Sequence, residues 1–384
     1  MIIIKNKRIE KGTSLQALDD LFFSKKHRIA IYHTGALGDL LVATAALFEL
    51  CQLFSNSSVT VIGSGLWKEI LNPLQWPQIN SILEIKDKNF SKLKLWKANI
   101  DYNTWNEIPF SAPSFNLFLK DFHITIDFRS ESLRFALKSF FSKIPMRVGA
   151  HKKNTAKILF THFSTRDKSK EIHERDRYLD IIAPLNYNYI RERKEYWKKK
   201  GLPPLKWFPH DYKQSFYKNQ NKKVILINPT ASIREKAWAS KNFRELAFKL
   251  KNEMTEVKII GSPFETEWLK EVAKNDFPIL QPQNILSLVD EVKLSSLLIT
   301  NTSSMQFIAA GTHTPTLTLM GIASPERWGA LGEKSYCLKN NDVNFHPKKF
   351  FISKKKNANQ NESIAYNSLS VNLVFDTAQK FLVE

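Results

Sequence analysis

Apolar and polar residues follow one another along this chain in blocks that read as strand, loop and helix in regular succession. Ile29-Ala30-Ile31-Tyr32 is a short unbroken apolar run, the pattern of a strand buried on both faces. A loop, Gly35-Ala36-Leu37-Gly38-Asp39, and a helical stretch from Leu40 to Phe54 come next. Val59 to Gly63 and His123 to Asp127 repeat the strand pattern, and Leu133 to Phe141 the helical one. From Lys222 the rhythm restarts, with strands at Val224 to Asn228, Val257 to Gly261, Leu297 to Thr300 and Thr316 to Met320. Helices over Asn242 to Leu250, Glu265 to Ala273 and Ser304 to Ala310 separate them. This alternation predicts an α/β protein with two parallel sheets, each covered on both faces.

The punctuation predicts the domains. Thr13 and Gln16 are spaced to cap a short helix through Leu15, Leu18, Leu21 and Phe22, so residues 1–27 read as an appendage. Four lysines and three prolines surround Gly201 between Trp197 and Pro209, which suits an exposed crossover. The expected division is a first domain over 28–205, a second over 206–350, and a basic segment with a C-terminal helix over 351–384. Ser353 to Ser363 is polar, lysine-rich and expected to be mobile, while the amphipathic stretch from Leu369 to Leu382 suits either domain. Open α/β sheets bind ligands beyond the carboxyl ends of their strands, so a cleft between the two domains is the expected site.

Composition narrows the class. A chain of 384 residues with 43% hydrophobic and 24% charged residues is globular and long enough for two cores. Two cysteines, Cys51 and Cys337, are too few for a disulfide framework and point to a reducing compartment. The longest apolar candidate, Leu40 to Phe54, is interrupted by Glu49, and the first twelve residues alternate Ile with Lys without a signal core. A cytoplasmic protein is expected. The net charge of +20 suits nucleic acid, an anionic membrane surface or an anionic substrate equally well. No helix-turn-helix, RNA-recognition aromatic motif or zinc-finger spacing supports the first of these, so no nucleic-acid partner is expected.

Absent motifs remove other chemistries. There is no Gly-x-x-x-x-Gly-Lys-Ser/Thr phosphate loop, and Gly63-x-Gly65 lacks the third glycine of a dinucleotide fingerprint. No two aspartates stand at i, i+2, no His-Glu-x-x-His occurs, and Gly-x-Ser-x-Gly is missing. The sharpest remaining feature is Gly35 to Asp39, where two glycines let backbone approach a ligand and a carboxylate opens a helix. Asp is also a common helix-capping residue, and both readings stand at this point.

Ile31 to Leu47, carrying Gly-Ala-Leu-Gly-Asp, resembles the first motif of the bacterial heptosyltransferase family, glycosyltransferase family 9. His123 to Ser130 followed by Arg147-Val-Gly149 resembles that family's Asp-containing strand and Arg-x-Gly. Asn228-Pro-Thr-Ala-Ser232, Lys236-Ala-Trp238 and Asn242-Phe-Arg resemble the start of its nucleotide-binding domain. Thr300 to Ser304, Ile308-Ala-Ala310, Thr314-Pro315, Gly321 and Pro325 resemble its donor motif. The resemblance implies a GT-B fold: two Rossmann-like domains facing a cleft, with the acceptor on the first domain and a sugar nucleotide on the second. It implies inverting, metal-independent transfer with no cofactor, from ADP-heptose to an anionic inner-core glycolipid, by an enzyme peripheral to the inner face of the cytoplasmic membrane.

By matching position, Asp39 is the expected base. Thr230, Ser232, Lys236, Thr302, Ser303, Ser304 and Gln306 are expected at the donor, and Gly38, Arg129, Arg147 and Lys152 at the acceptor. No residues are expected to hold a metal. The donor motif departs from the family, with Thr302-Ser303-Ser304 in place of Asp-Ser/Thr-Gly and Phe307 in place of His. A different sugar nucleotide, a protein acceptor, or a non-catalytic binding subunit of the same fold are the alternatives. Phe140, Phe141 and Trp207 lie near basic positions and are placed either to touch lipid headgroups or to fill a core.

Overall fold

The computed structural model of the chain describes residues 20–74, 76–85, 92–97, 105–109, 112–128, 133–151, 153–165, 171–205, 222–341, 366 and 368–383. The chain divides into two compact units, Met1–Lys198 and Lys199–Glu384. The expected helix cap at Thr13, most of the 1–27 appendage, Trp207 and the segment Ser353 to Ser363 lie outside the described residues.

The front unit is built on eight strands in the order β5-β4-β3-β2-β1-β6-β7-β8. Its central strand β1 (Arg28–His33) pairs in parallel with β2 (Ser58–Gly63) and β6 (Ile124–Asp127), setting Ile31 opposite Val61 and Ile126. β7 (Met146–His151) and β8 (His162–Thr165) extend the sheet in parallel on one side and β3 (Ile79–Ile85) on the other. β4 (Lys92–Lys97) and β5 (Trp105–Pro109) then add antiparallel, so this sheet is mixed where the periodicity predicts a parallel one. The alternation of Lys and Leu from Lys92 to Leu95 at the start of β4 is the pattern of such a strand.

Helices α1 (Asp20–Ser24), α2 (Leu37–Leu53), α3 (Leu66–Leu74), α4 (Ala112–Leu119), α5 (Arg134–Phe141), α6 (Lys153–Leu159), α7 (Glu174–Ile182) and α8 (Tyr187–Lys200) complete the unit. α2 is apolar almost throughout because it is covered nearly all round. Its one buried acid, Glu49, accepts hydrogen bonds from Tyr189 Oη (2.5 Å), Arg193 Nε (2.8 Å) and Trp197 Nε1 (2.7 Å), all on α8. A carboxylate with no exposure is tolerable only with such partners, and this one fixes α8 against α2.

The rear unit is a wholly parallel six-stranded sheet in the order β11-β10-β9-β12-β13-β14. Its strands are β9 (Lys223–Asn228), β10 (Thr255–Ile260), β11 (Ile279–Leu280), β12 (Leu297–Asn301), β13 (Thr316–Met320) and β14 (Ser335–Lys339). Helices α9 (Ser240–Leu250), α10 (Thr266–Ala273), α11 (Ile285–Leu294), α12 (Met305–Thr312), α13 (Pro325–Trp328) and α14 (Val371–Val383) surround it. α14 belongs to this unit: Val374 and Ala378 share a core with Phe243, Leu246 and Leu250 of α9.

The proline-rich stretch after α8 also packs on the rear unit, since Leu205 N–H donates to Gly311 O at 2.9 Å and Gly201, at φ +82°, lies against Gly332. The units therefore divide at Lys198, ahead of the 205/206 boundary that the composition suggests.

Candidate active site

Each sheet reverses its strand order once beside its first strand, between β1 and β6 in front and between β9 and β12 behind. Loops leaving opposite sides of such a point part from one another and leave a crevice at the carboxyl end of the sheet.

At the front switch point β1 ends in His33 and the chain turns through Gly35 into α2. Asp39 stands half-buried in the first turn of α2, where its Oδ2 accepts from the Ala36 N–H at 3.2 Å, and Gly38 precedes it. The carboxylate thus satisfies a helix donor and gains from the positive end of the helix while staying open to solvent. Gly35 is required by close approach, because a Cβ there would lie 2.6 Å from Asp39 Cβ and 2.8 Å from His33 Cε1. His33 itself is buried, 5.1 Å from the Tyr178 ring and 5.9 Å from Trp67, centroid to centroid. Gly63, read in sequence as part of a weak dinucleotide pattern, is a packing glycine: a Cβ there would sit 1.9 Å from the His33 carbonyl oxygen.

At the rear switch point β9 and β12 both end in a buried asparagine. Asn228 Nδ2 donates to Thr230 Oγ1 (3.0 Å) and Ile260 O (2.9 Å), while its Oδ1 accepts from Thr300 Oγ1 at 3.0 Å. Asn301 Nδ2 donates to Pro229 O (2.8 Å) and its Oδ1 accepts from the Trp238 N–H (2.9 Å). The two asparagines hold the loop from Pro229 to Ala239 over the sheet edge. Lys236, half-buried, lies in the 3-10 turn Arg234–Lys236 of that loop. Its carbonyl accepts from Tyr366 Oη at 2.6 Å, and Trp238 Nε1 donates to Leu369 O at 3.0 Å, so the C-terminal segment fastens the loop from beneath. Burial pushes the Tyr366 phenol well above the ordinary tyrosine range, which keeps it a donor across neutral pH. On the outer side Arg234 donates to both carboxylate oxygens of Glu271 and stacks 4.2 Å from the Trp268 ring.

The expected donor residues divide. Thr230, Ser232, Lys236, Thr302, Ser303 and Ser304 all lie on the two loops at this switch point, with Ser232 exposed. Ser303 spends its hydroxyl on Thr300 Oγ1 (3.0 Å) and on the Met305 N–H (3.2 Å) at the start of α12. Ser304 makes no side-chain cap. Gln306 is fully buried, and its Nε2 donates to Trp328 O at 2.9 Å, because its place on α12 turns it toward α13. Phe307 is buried against Trp328, ring centroids 6.5 Å apart.

Among the expected acceptor residues Arg147 is engaged within the fold. Its Nε donates to Leu159 O (2.8 Å) and its Nη1 to Ile144 O (2.6 Å), and it stacks 5.4 Å from Phe140, which makes it a brace of α5 and α6. Arg129 and Lys152 lie outside the described residues. Sequence reasoning passed over Asn228 and Asn301 as partners, although an asparagine ending each of two buried apolar strands is a visible signal. It also missed Arg234 and Tyr366. Among the described residues no group of three His, Cys, Asp or Glu is placed to hold a metal ion, and no helix is long and apolar enough to cross a membrane.

The sequence matches the family described as glycosyltransferase family 9 (heptosyltransferase) over residues 116–358, which is more than half of the chain. The chain belongs to glycosyltransferase family 9. It is a glycosyltransferase, and its two Rossmann-like units are those of the GT-B fold. A solved family 9 glycosyltransferase from Veillonella parvula DSM 2008 is similar at 17% identity and TM-score 0.68, over 93% of this chain and 97% of that one. The E. coli ADP-heptose lipopolysaccharide heptosyltransferase II is similar at 17% identity and TM-score 0.60, over 86% and 98%. E. coli heptosyltransferase WaaC, solved with ADP, is similar at 15% identity and TM-score 0.56, over 85% and 99%. These likenesses are at the level of the fold. No curated protein sequence matches the chain.

Proposed function

We propose that this family 9 enzyme transfers a heptose from ADP-heptose, with inversion, to an anionic inner-core acceptor of lipopolysaccharide or lipooligosaccharide at the inner face of the cytoplasmic membrane. One observation carries the reading: the residues that match the family's motifs stand at the switch points of both sheets, Asp39 on one and Thr230, Lys236 and Ser303 on the other. Each is where an open α/β sheet binds its ligand.

In the proposed reaction Asp39 takes the proton of the acceptor hydroxyl. The freed oxygen attacks the anomeric carbon while the bond to the diphosphate breaks. Lys236 and the backbone N–H groups at the start of α12 meet the charge that develops on the departing diphosphate. This scheme assigns no step to a metal or cofactor.

A second reading keeps the chemistry and changes the sugar. Thr302 stands where the family has an acid, and its Oγ1 is buried with no hydrogen-bond partner among the described residues. A threonine contacts sugar hydroxyls less strongly than a carboxylate does, which favours a donor other than ADP-heptose.

Turnover of ADP-, UDP- and GDP-sugars with a heptose-deficient core glycolipid separates the two readings, since transfer from a UDP-sugar alone replaces heptose. Asp39→Ala should lower the rate by about 10² to 10⁴ while leaving the ADP-induced thermal shift intact. Lys236→Ala should instead abolish that shift. Wild-type turnover by Asp39→Ala would remove the carboxylate from the mechanism.

A further inference from the structure

The helices on one side of the front sheet carry an outer surface that the transfer reaction leaves unused. Phe115 and Leu119 of α4 and Phe135 of α5 face the sheet in one buried cluster with Ala30, Tyr32 and Ile62. Ala136 of α5 joins Ala156 and Leu159 of α6 in a second. The inward positions of these three adjoining helices are thus filled. On the outward side Leu117 is 62% exposed, Leu137 39%, Phe140 37%, Phe141 68% and Ile158 66%. Scattered exposed apolar residues are ordinary, but a solvated helix face puts polar residues at such positions, and here five large apolar side chains stand exposed on three neighbouring helices, Phe140 and Phe141 in ring contact.

These side chains are interleaved with cations. Arg134, Leu137 and Phe141 recur at i, i+3 and i+7 on α5 and are exposed, so charge and apolar bulk share one face, while Lys138 is half-buried with its ammonium 5.4 Å from the Phe115 ring. Lys120, Lys143 and Lys157 are exposed at the ends of α4 and α5 and on α6. Between residues 112 and 165 the sequence has nine Lys and Arg against three acids. Of those acids Asp127 is buried and Glu131 lies outside the described residues, which leaves Asp121, while of the bases Arg129 and Lys152 lie outside them too and Arg147 is spent on the carbonyls of Ile144 and Leu159.

We infer that this face docks the enzyme on an anionic bilayer, with Phe141, Ile158 and Leu117 entering the headgroup boundary and the surrounding cations meeting lipid phosphates. Apolar bulk together with basic charge is what an anionic interface selects, because it rewards both. A second copy presenting the same face would bring cation against cation. The inference deepens the proposed function by naming the surface through which a glycolipid acceptor's membrane is met.

The test uses the full-length protein and sedimentation with phosphatidylcholine vesicles, with and without about 30 mol% phosphatidylglycerol. Binding is expected to the anionic vesicles alone and to fall with added salt. A Phe141→Ser, Ile158→Ser variant should bind them about tenfold more weakly, with an unchanged melting temperature and an unchanged thermal shift on ADP. A Lys120→Glu, Lys157→Glu variant should lose binding with the apolar residues intact.

Equal binding of neutral and anionic vesicles, or undiminished binding by either variant, overturns the inference. So does a concentration-dependent dimer that both variants abolish, which would make the face a contact between copies. Absence of an ADP shift in a wild-type protein that binds vesicles would sink the proposed function and leave this inference standing.

Discussion

Asp39 depends on a residue that has no side chain. The carboxylate and the His33 ring close on Gly35 from two sides, so a methyl group there must displace one of them. His33 is locked among Trp67, Phe128 and Tyr178, whereas Asp39 is half-open to solvent, so Asp39 is the group that gives way. A displacement of about an ångström at a catalytic base is costly in rate and cheap in stability. Gly35→Ala should therefore lower turnover by about 10- to 100-fold while the melting temperature and ADP affinity stay near wild type. Steady-state kinetics beside a thermal melt checks this, and a variant with full turnover would separate the loop from the chemistry. The loop was legible in the sequence because a glycine pair and an acid at a helix start are a local pattern. Glu49 was not, and it registered only as a charge interrupting an apolar run. Its partners Tyr189, Arg193 and Trp197 lie far along the chain, and only the fold brings them to it.

Among the elements, the parallel strands β1, β2, β6, β9, β10, β12 and β13 were readable to within a residue or two, since an unbroken apolar run between turn residues has few other uses, while β3, β7, β8, β11 and β14, shorter or more polar, were not read as strands. β4 and β5, added antiparallel, and the extent of α8 were not anticipated. In α8 charged residues dominate and only Ile190 and Trp197 are buried, so its pattern resembles a solvated linker. The C-terminal helix was foreseen as an element, but its place was open, because an amphipathic stripe does not name its partner. The structure seats it on α9, and this placement has a consequence for Lys236. Tyr366, just before α14, donates to the Lys236 carbonyl. The phenol thereby ties the C-terminal segment to the loop that carries Lys236. Tyr366→Phe keeps the ring and removes this bond, a loss of about 1 kcal/mol. Affinity for the sugar nucleotide should fall several-fold with kcat nearly unchanged, as expected for a positioning residue. A merely structural role would instead lower the melting temperature and leave KM for the donor alone.

Over the whole molecule, the net charge of +20 is unevenly distributed. Residues 222–341, which include the donor loops, hold fifteen bases and twelve acids, near balance, whereas residues 112–165 hold nine and three. In the proposed reaction the diphosphate would therefore be met by few local groups, Lys236 foremost, rather than by a broad field. By unit the surplus is shared, with 31 bases and 20 acids over residues 1–198 against 26 and 17 over residues 199–384, but the 112–165 helices concentrate it where the proposed membrane contact lies. Exposed charges more than about 10 Å apart are screened at 0.1 M salt, while a close contact to a partly buried group is screened far less. Raising salt from about 0.05 M to about 0.3 M should thus weaken KM for a vesicle-borne anionic acceptor by tenfold or more, and change the dissociation constant of ADP by less than about threefold. Replacing the vesicle with a short, lipid-free acceptor should flatten the first dependence, because the bilayer's share of the attraction is gone. Equal salt sensitivity of ADP and acceptor would mean that the surplus charge serves the nucleotide after all, and that the front unit's cations have no separate task.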